Sequence, residues 1–328
     1  SSLQRDNESV SSDPTSPDSW RTGPGEPIHF FDRASKEIRE EAIYGEGAVR
    51  WAYENALGRV ALKSVVSRAF FSRLYGWLMD RPGSREKVAP FIAEYGLDPA
   101  EFADAADSFA SFNEFFVRRL KPEARPIDPD ENSAVFPADG RHLGFSDLSQ
   151  LPGIYAKGQE LSLSDLLDSA ELAERFARGS LVISRLCPVD YHRFHFCAAG
   201  TPGPPQLLNG PLFSVSPIAL RRRIEILAEN KRVLTRLASE RCGEILILEI
   251  GATNVGSIVQ TAESGKPIAK GDEKGYFAFG GSMTMLLFEP GRVQLDADLL
   301  EQSAQGRELY ARMGERLGVA TGGSEIGR

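Results

Sequence analysis

No stretch of the sequence approaches the roughly 18 consecutive apolar residues of a membrane-spanning helix. Cysteine is also scarce. Cys187, Cys197 and Cys242 are the only three, an odd number with no CxxC pair. That argues against a disulfide framework and for a reducing compartment. There is no surplus of positive charge: the formal net charge is −8, which argues against broad nucleic-acid binding. Histidine is rare, with four in 328 residues, so the places where it falls carry information. Residues 1–27 lack apolar periodicity and are rich in Ser, Asp, Pro and Gly. They read as a disordered leader. The chain opens on serine, which leaves open a targeting segment ahead of it.

What is present is the balance of a folded soluble protein, with 41% hydrophobic and 26% charged residues. The length suits two domains, or one with appendages. From Ala34 to Ala110 the pattern predicts helices, broken at Arg81-Pro82-Gly83 and Leu97-Asp98-Pro99. Within it, "ENALGRVALKSVVSRAFFSRLYGWLMD" mixes basic and bulky apolar residues. Arg59, Lys63 and Arg73 share one side of a helical wheel, while Arg68 falls opposite. On pattern alone the stretch reads either as a membrane-surface helix or as a helix packed on the rest of the protein. After "SFNEFFVRRLKPEARPIDPD" the texture changes to short apolar runs punctuated by Pro and Gly, such as "SLVISRLCPV", "GEILILEIGA" and "MTMLLFE". These are strand signals. One helical insert is expected from Leu163 to Arg178, and a charged, helical tail from Leu299 onward. The fold class is therefore α+β: an N-terminal helical region followed by a β-rich core with mainly antiparallel sheets. The expected divisions are 1–27, 28–110, 111–300 and 301–328.

Three spots carry candidate chemistry. Asp139 precedes Gly140 in "FPADGRH", where the simplest reading is an Asp-Gly turn. His192 and His195 lie in "CPVDYHRFHFCAAG". Ser282 follows Gly280-Gly281 at the start of an apolar run. His192 and His195 make half a zinc site, which His142, Asp139 and Cys187 could complete, but nothing in the spacing requires it and no metal is expected. Asp, His and Ser together suggest nucleophilic catalysis. The serine lacks a G-x-S-x-G elbow, because Met283 and Thr284 follow it. Its nearest carbonyl belongs to Gly281, in its own chain. Ser282 is thus placed to attack its own peptide bond and form an ester, and elimination would then break the chain and leave a keto group.

The segments "FNEFFVRRLKPEARPID", "PADGR", "PVDYHRFHF", "LNGPLFSVSPIAL", "ENKRV", "EIGATNVGSIVQT" and "KGDEKGYFAFGGS" occur in order. Together they resemble the phosphatidylserine decarboxylases, from about Ile28 to Leu300. The resemblance implies a proenzyme that cuts itself between Gly281 and Ser282. Residues 1–281 and 282–328 would stay partners, and Ser282 would become a covalent pyruvoyl cofactor. It maps a processing triad onto Asp139, His195 and Ser282, and gives the decarboxylation step to His192. It implies phosphatidylserine as substrate, phosphatidylethanolamine and CO2 as products, and a membrane surface as partner. Ordinary side chains cannot accept the electrons left when CO2 departs, whereas a pyruvoyl carbonyl can. With a lipid substrate, the basic and aromatic stretch is expected to touch the bilayer, at the cytoplasmic face of a bacterial cell membrane. An organellar membrane would follow from a transit peptide ahead of Ser1. A homodimer is left open as a further partner. Two departures from the family pattern stand out. Met283 replaces a common threonine and supplies no hydroxyl, which predicts slower processing. Cys197 stands where proline is frequent. The alternatives are a relative acting on a soluble amino acid, a serine hydrolase, and a non-catalytic lipoyl-like module. The last would need an exposed, modified lysine, and Lys266, Lys270 and Lys274 lack the usual flanks.

Overall fold

A computed structural model of the chain describes residues 28–41, 76–148, 161–215, 220, 224–252, 258–278 and 282–322. Its first elements correct the helical reading from Ala34. Strands β1 (His29–Asp32) and β2 (Glu37–Glu40) form an antiparallel hairpin. The Asp32 carboxylate accepts the backbone N–H groups of Ala34 (3.0 Å) and Ser35 (3.2 Å). That Asx turn reverses the chain where periodicity alone suggested a helix. Residues 42–75, with nearly all of the basic and aromatic stretch, lie outside the described residues.

Helical structure does follow. A helix over Val88–Tyr95 stops at Gly96, whose φ of 62° is the left-handed cap that glycine takes freely. A short helix over Phe112–Phe116 is capped by Ser111, which accepts the Glu114 N–H. Phe91, Phe102, Phe109, Phe112, Phe115 and Phe116 bury one another in a satellite aromatic core.

The remaining strands are β3 (Ser133–Val135), β4 (Gly140–Phe145), β5 (Ser180–Leu186), β6 (Arg193–His195), β7 (Thr201–Pro202), β8 (Gln206–Leu208), β9 (Arg232–Ser239), β10 (Gly243–Gly251), β11 (Ile258–Gln260), β12 (Glu273–Phe277), β13 (Ser282–Phe288), β14 (Val293–Leu295), β15 (Glu308–Ala311) and β16 (Arg316–Ala320). The principal sheet runs β2-β1-β15-β4-β5-β13-β10-β9-β7, with β8 also on β9. Only the β1–β15 pair is parallel among the pairs described. Two three-stranded sheets, β11-β12-β6 and β14-β16-β3, flank it. The architecture is β-rich and mostly antiparallel, with few helices.

Two cores sandwich the principal sheet. Met283, Met285 and Leu287 face one, with Leu166, Phe176 and Leu248. Leu286 and Phe288 face the other, with Phe136, Phe196 and Ile247. This double coverage explains why β13 reads as a continuous apolar run rather than an alternation. The insert after Leu163 is two short helices, Leu163–Leu167 and Ala170–Phe176, separated at Asp168 with φ of 52°. The C-terminal expectation is also corrected. A helix ends at Ala304, and the chain then supplies β15 and β16, burying Leu309, Ala311 and Leu317.

Candidate active site

Ser282 opens β13 and pairs with Leu186 of β5 on one side and Gly251 of β10 on the other. It is fully buried. From Leu186 the chain turns sharply through Cys187-Pro188-Val189-Asp190. The Asp190 carboxylate fixes that turn: it accepts the Cys187 N–H at 2.6 Å and is itself held by Arg141 at 2.7 Å. His192 follows after Tyr191, and its ring folds back so that Nε2 lies 2.9 Å from the Cys187 carbonyl. A carbonyl only accepts, so Nε2 carries the hydrogen and Nδ1 is left as a lone pair. The Ser282 hydroxyl faces that lone pair at 3.4 Å. Phe116 stacks on the other face of the imidazole, with centroids 3.9 Å apart and planes 24° apart. Burial, reinforced by the charge of Arg118, pushes the His192 basicity down to about 3. The ring is neutral near pH 7 and free to accept a proton.

His195 lies three residues further on, in β6. Its backbone N–H bonds to the Pro137 carbonyl at 2.7 Å, which draws β6 alongside the segment carrying Asp139. Its Nδ1 donates to the Gly271 carbonyl at 3.0 Å. Its Nε2 is buried with no partner among the described residues. Burial lowers its basicity too. Asp139 accepts from Arg125 through Nε and Nη2, the latter at 2.6 Å, and takes the Met313 N–H at 2.9 Å. The Asp139-Gly140 pair is not a hairpin tip. Gly140 begins β4, and a Cβ there would meet the Arg185 carbonyl oxygen at 2.6 Å.

The fold therefore joins Ser282 to His192 directly. It sets His195 and Asp139 on neighbouring backbone without a hydrogen bond to each other or to Ser282 among the described residues. Gly281 lies outside the described residues. Phe116, Arg125, Asp190 and the Cys187 carbonyl were not singled out by sequence reasoning. Their only signal was membership of the motif segments, because Phe116, Arg125 and Asp190 act through contacts remote in sequence and a backbone carbonyl leaves no mark on residue type. Met283 points into the apolar core, opposite to Ser282 and Thr284. The residues weighed for zinc do not converge. Both ring nitrogens of His142 bond within the sheet, to Ser184 at 2.8 Å and the Ala311 carbonyl at 3.1 Å. Lys274 is buried against Glu249 at 2.9 Å, which removes it as an exposed carrier lysine.

Residues 112–319 match the family model described as phosphatidylserine decarboxylase. A phosphatidylserine decarboxylase proenzyme from Desulfitobacterium hafniense (strain Y51) is 41% identical over 292 residues, covering 89% of this chain and 98% of the relative. Proenzymes of the same name from Chlamydia trachomatis serovar L2 and Chlamydia caviae are each 43% identical, over 289 and 292 residues. They cover 88% and 89% of this chain and 96% and 97% of those relatives. Matching the family model over residues 112–319 and those proteins over nearly nine-tenths of its length, the chain belongs to the phosphatidylserine decarboxylase family.

Proposed function

We propose that this chain is a self-processing decarboxylase that converts phosphatidylserine to phosphatidylethanolamine and CO2. The observation that carries the reading is the Ser282 hydroxyl aimed at the lone pair of a buried, neutral His192. Such an imidazole takes a proton from a hydroxyl without first losing one of its own. Once the processing base has taken its proton, the hydroxyl attacks the Gly281 carbonyl, and the Ser282 nitrogen leaves as the ester forms. Loss of the α-hydrogen then expels residues 1–281 as a carboxylate, and water replaces the nitrogen, which departs as ammonia. A fully buried serine suits this sequence, because bulk water is kept from hydrolysing the ester early.

The product of that sequence is a pyruvoyl group at position 282, whose carbonyl takes up the electron pair left when CO2 departs. The surroundings fit it: Nδ1 of His192 is directed at position 282, and no other side chain is hydrogen-bonded there among the described residues. His192 is then positioned to return a proton to the substrate carbon. His195 and Asp139, with Ser282, form the processing triad that the family resemblance implies. The 3.4 Å contact favours a second assignment, in which His192 also serves the cleavage. The basic and aromatic stretch before Trp77 is assigned to contact with the bilayer, on the cytoplasmic face of the cell membrane. Trp77 and Leu78, at the edge of the described residues, are exposed.

Intact mass under denaturing conditions tests the processing. Two species are expected, their sum equal to the whole plus one water less one ammonia, with a keto group at position 282. A single species at 35.9 kDa that still decarboxylates would overturn it. Assays on phosphatidylserine vesicles and on free serine separate the lipid enzyme from a relative acting on a soluble amino acid. Co-sedimentation with those vesicles tests the membrane contact.

A further inference from the structure

A cavity of about 380 Å³ lies beside the site, under the aromatic helical core and against the ends of β1, β4 and β15. That volume falls within the range of small-molecule pockets. Five arginines line it. Four are already matched with carboxylates: Arg39 with Asp32 at 3.2 Å, Arg125 with Asp139 at 2.6 Å, Arg141 with Asp190 at 2.7 Å, and Arg312 with Glu101 at 3.3 Å. The fifth, Arg118, is not. It is 95% buried, as its 5% exposure shows, yet no carboxylate pairs with it among the described residues. Its Nε has no hydrogen-bond partner there. Its one side-chain hydrogen bond among the described residues is a long one, from Nη1 to the Phe115 carbonyl at 3.4 Å. The guanidinium instead rests over the rings of Phe115 at 4.8 Å and Phe102 at 5.0 Å. Those rings fix its orientation while leaving most of its donors unused. A buried cation with no carboxylate in direct contact is costly: burial, offset only in part by the nearby charge of Asp139, has pushed Arg118 down to about 10, so it remains charged near neutrality. An anion entering the cavity would relieve that cost.

Resting on the reading above, we propose that Arg118 is the receptor for the phosphodiester of the lipid substrate. Position links it to the chemistry. Phe116, which stacks on His192, is two residues away in the same segment, and the charge of Arg118 is felt at the His192 ring. In phosphatidylserine the phosphorus follows the α-carbon by way of only the β-carbon and one oxygen. A substrate whose α-carbon sits at position 282 therefore carries its phosphate into this neighbourhood. The substrate offers two anions, and the chemistry selects between them. The carboxylate loses its charge as CO2 forms, so a cation gripping it would favour the ground state over the transition state. The phosphodiester keeps its charge throughout. Arg118 can hold it without slowing the reaction.

The test uses the mature enzyme and dihexanoyl phosphatidylserine as a monomeric substrate. It is compared with the same molecule bearing a neutral methylphosphonate in place of the phosphodiester. Wild type should prefer the charged substrate by about ten- to a hundredfold, the range expected for a charged hydrogen-bonded contact, and chiefly through KM. Arg118→Met should raise KM for the charged substrate by a similar factor, change kcat little and abolish the preference. Arg118→Lys should restore part of it. Equal use of both substrates by wild type, or an undiminished preference in Arg118→Met, would overturn the proposal. So would a fall in kcat with KM unmoved. If Arg118→Met does not mature, the wild-type preference and Arg118→Lys decide. Wild type that decarboxylates neither compound, nor phosphatidylserine in vesicles, sinks the functional reading itself and this proposal with it.

Discussion

His192 and His195 are both buried, yet their free valences differ. His192 gives its hydrogen to the Cys187 carbonyl and turns its lone pair to Ser282, while His195 gives its hydrogen to Gly271 and its lone pair has no partner among the described residues. Paired alanine variants separate their duties. With duties as the resemblance implies, His192→Ala still cleaves but turns over about 10²- to 10⁴-fold more slowly, the range for a lost general acid or base. His195→Ala then remains a single chain. Gel analysis of cleavage, run beside a CO2-release assay, reads both. Loss of cleavage in His192→Ala would move the processing base to that residue. Met283 bears on the same chemistry. Its side chain faces the apolar core, so a threonine hydroxyl there would be buried away from the site. Met283→Thr is expected to lose about 1–3 kcal/mol of stability in urea titrations and to cleave no faster. Faster cleavage would show that a hydroxyl at 283 does reach the scissile region.

At the scale of elements, β13 holds the arrangement together. It is hydrogen-bonded to β5 and β10 along its whole length, and both faces are covered. Cleavage before Ser282 therefore leaves the small fragment as a central strand of the principal sheet, with β14, β15 and β16 attached to two other strand sets. The fragments should co-elute in native size exclusion and separate only in denaturant. Separation in native buffer would mean that the sheet does not survive processing. That strand was legible as an apolar run opened by Gly-Gly-Ser. The hairpin at His29–Glu40 was not, because an Asx turn overrode the local periodicity. The C-terminal strands were hidden for a related reason. They are only four and five residues long, and they become strands by pairing with β14 and with β1, β3 and β4 from distant parts of the chain.

At the scale of the whole molecule, burial of histidine gives stability a pH dependence. Burial pushes His142 and His192 each down to about 3, against about 6.5 in an unfolded chain. Between those values the unfolded state binds more protons, so stability falls as pH drops from 6.5 toward 3. Each histidine contributes at most about 1.4 kcal/mol per pH unit. The effect should be read on Ser282→Ala, so that unfolding is unimolecular, and between pH 6.5 and 5, where most carboxylates stay ionised. Urea titrations should show the decline, and adding His142→Gln should make it shallower. A flat profile would mean that these rings take up protons in the folded state as readily as in the unfolded one.

The sequence by itself determined the chemistry available: a Gly-Gly-Ser at the mouth of an apolar strand, two histidines in one short segment, and an Asp-Gly in another. Those are local features, and their order along the chain was enough to suggest the family. The tertiary structure alone decided which nitrogen faces which oxygen. The His192 lone pair is set by a carbonyl five residues earlier and a ring from the helix Phe112–Phe116, and Asp139 is held by Arg125 and Met313. It also decided that, among the described residues, Arg118 has no carboxylate paired with it while its neighbours are matched. Pairings of that kind depend on which buried groups the sheets and the aromatic core bring within a few ångströms, and no spacing in a linear sequence encodes such distances.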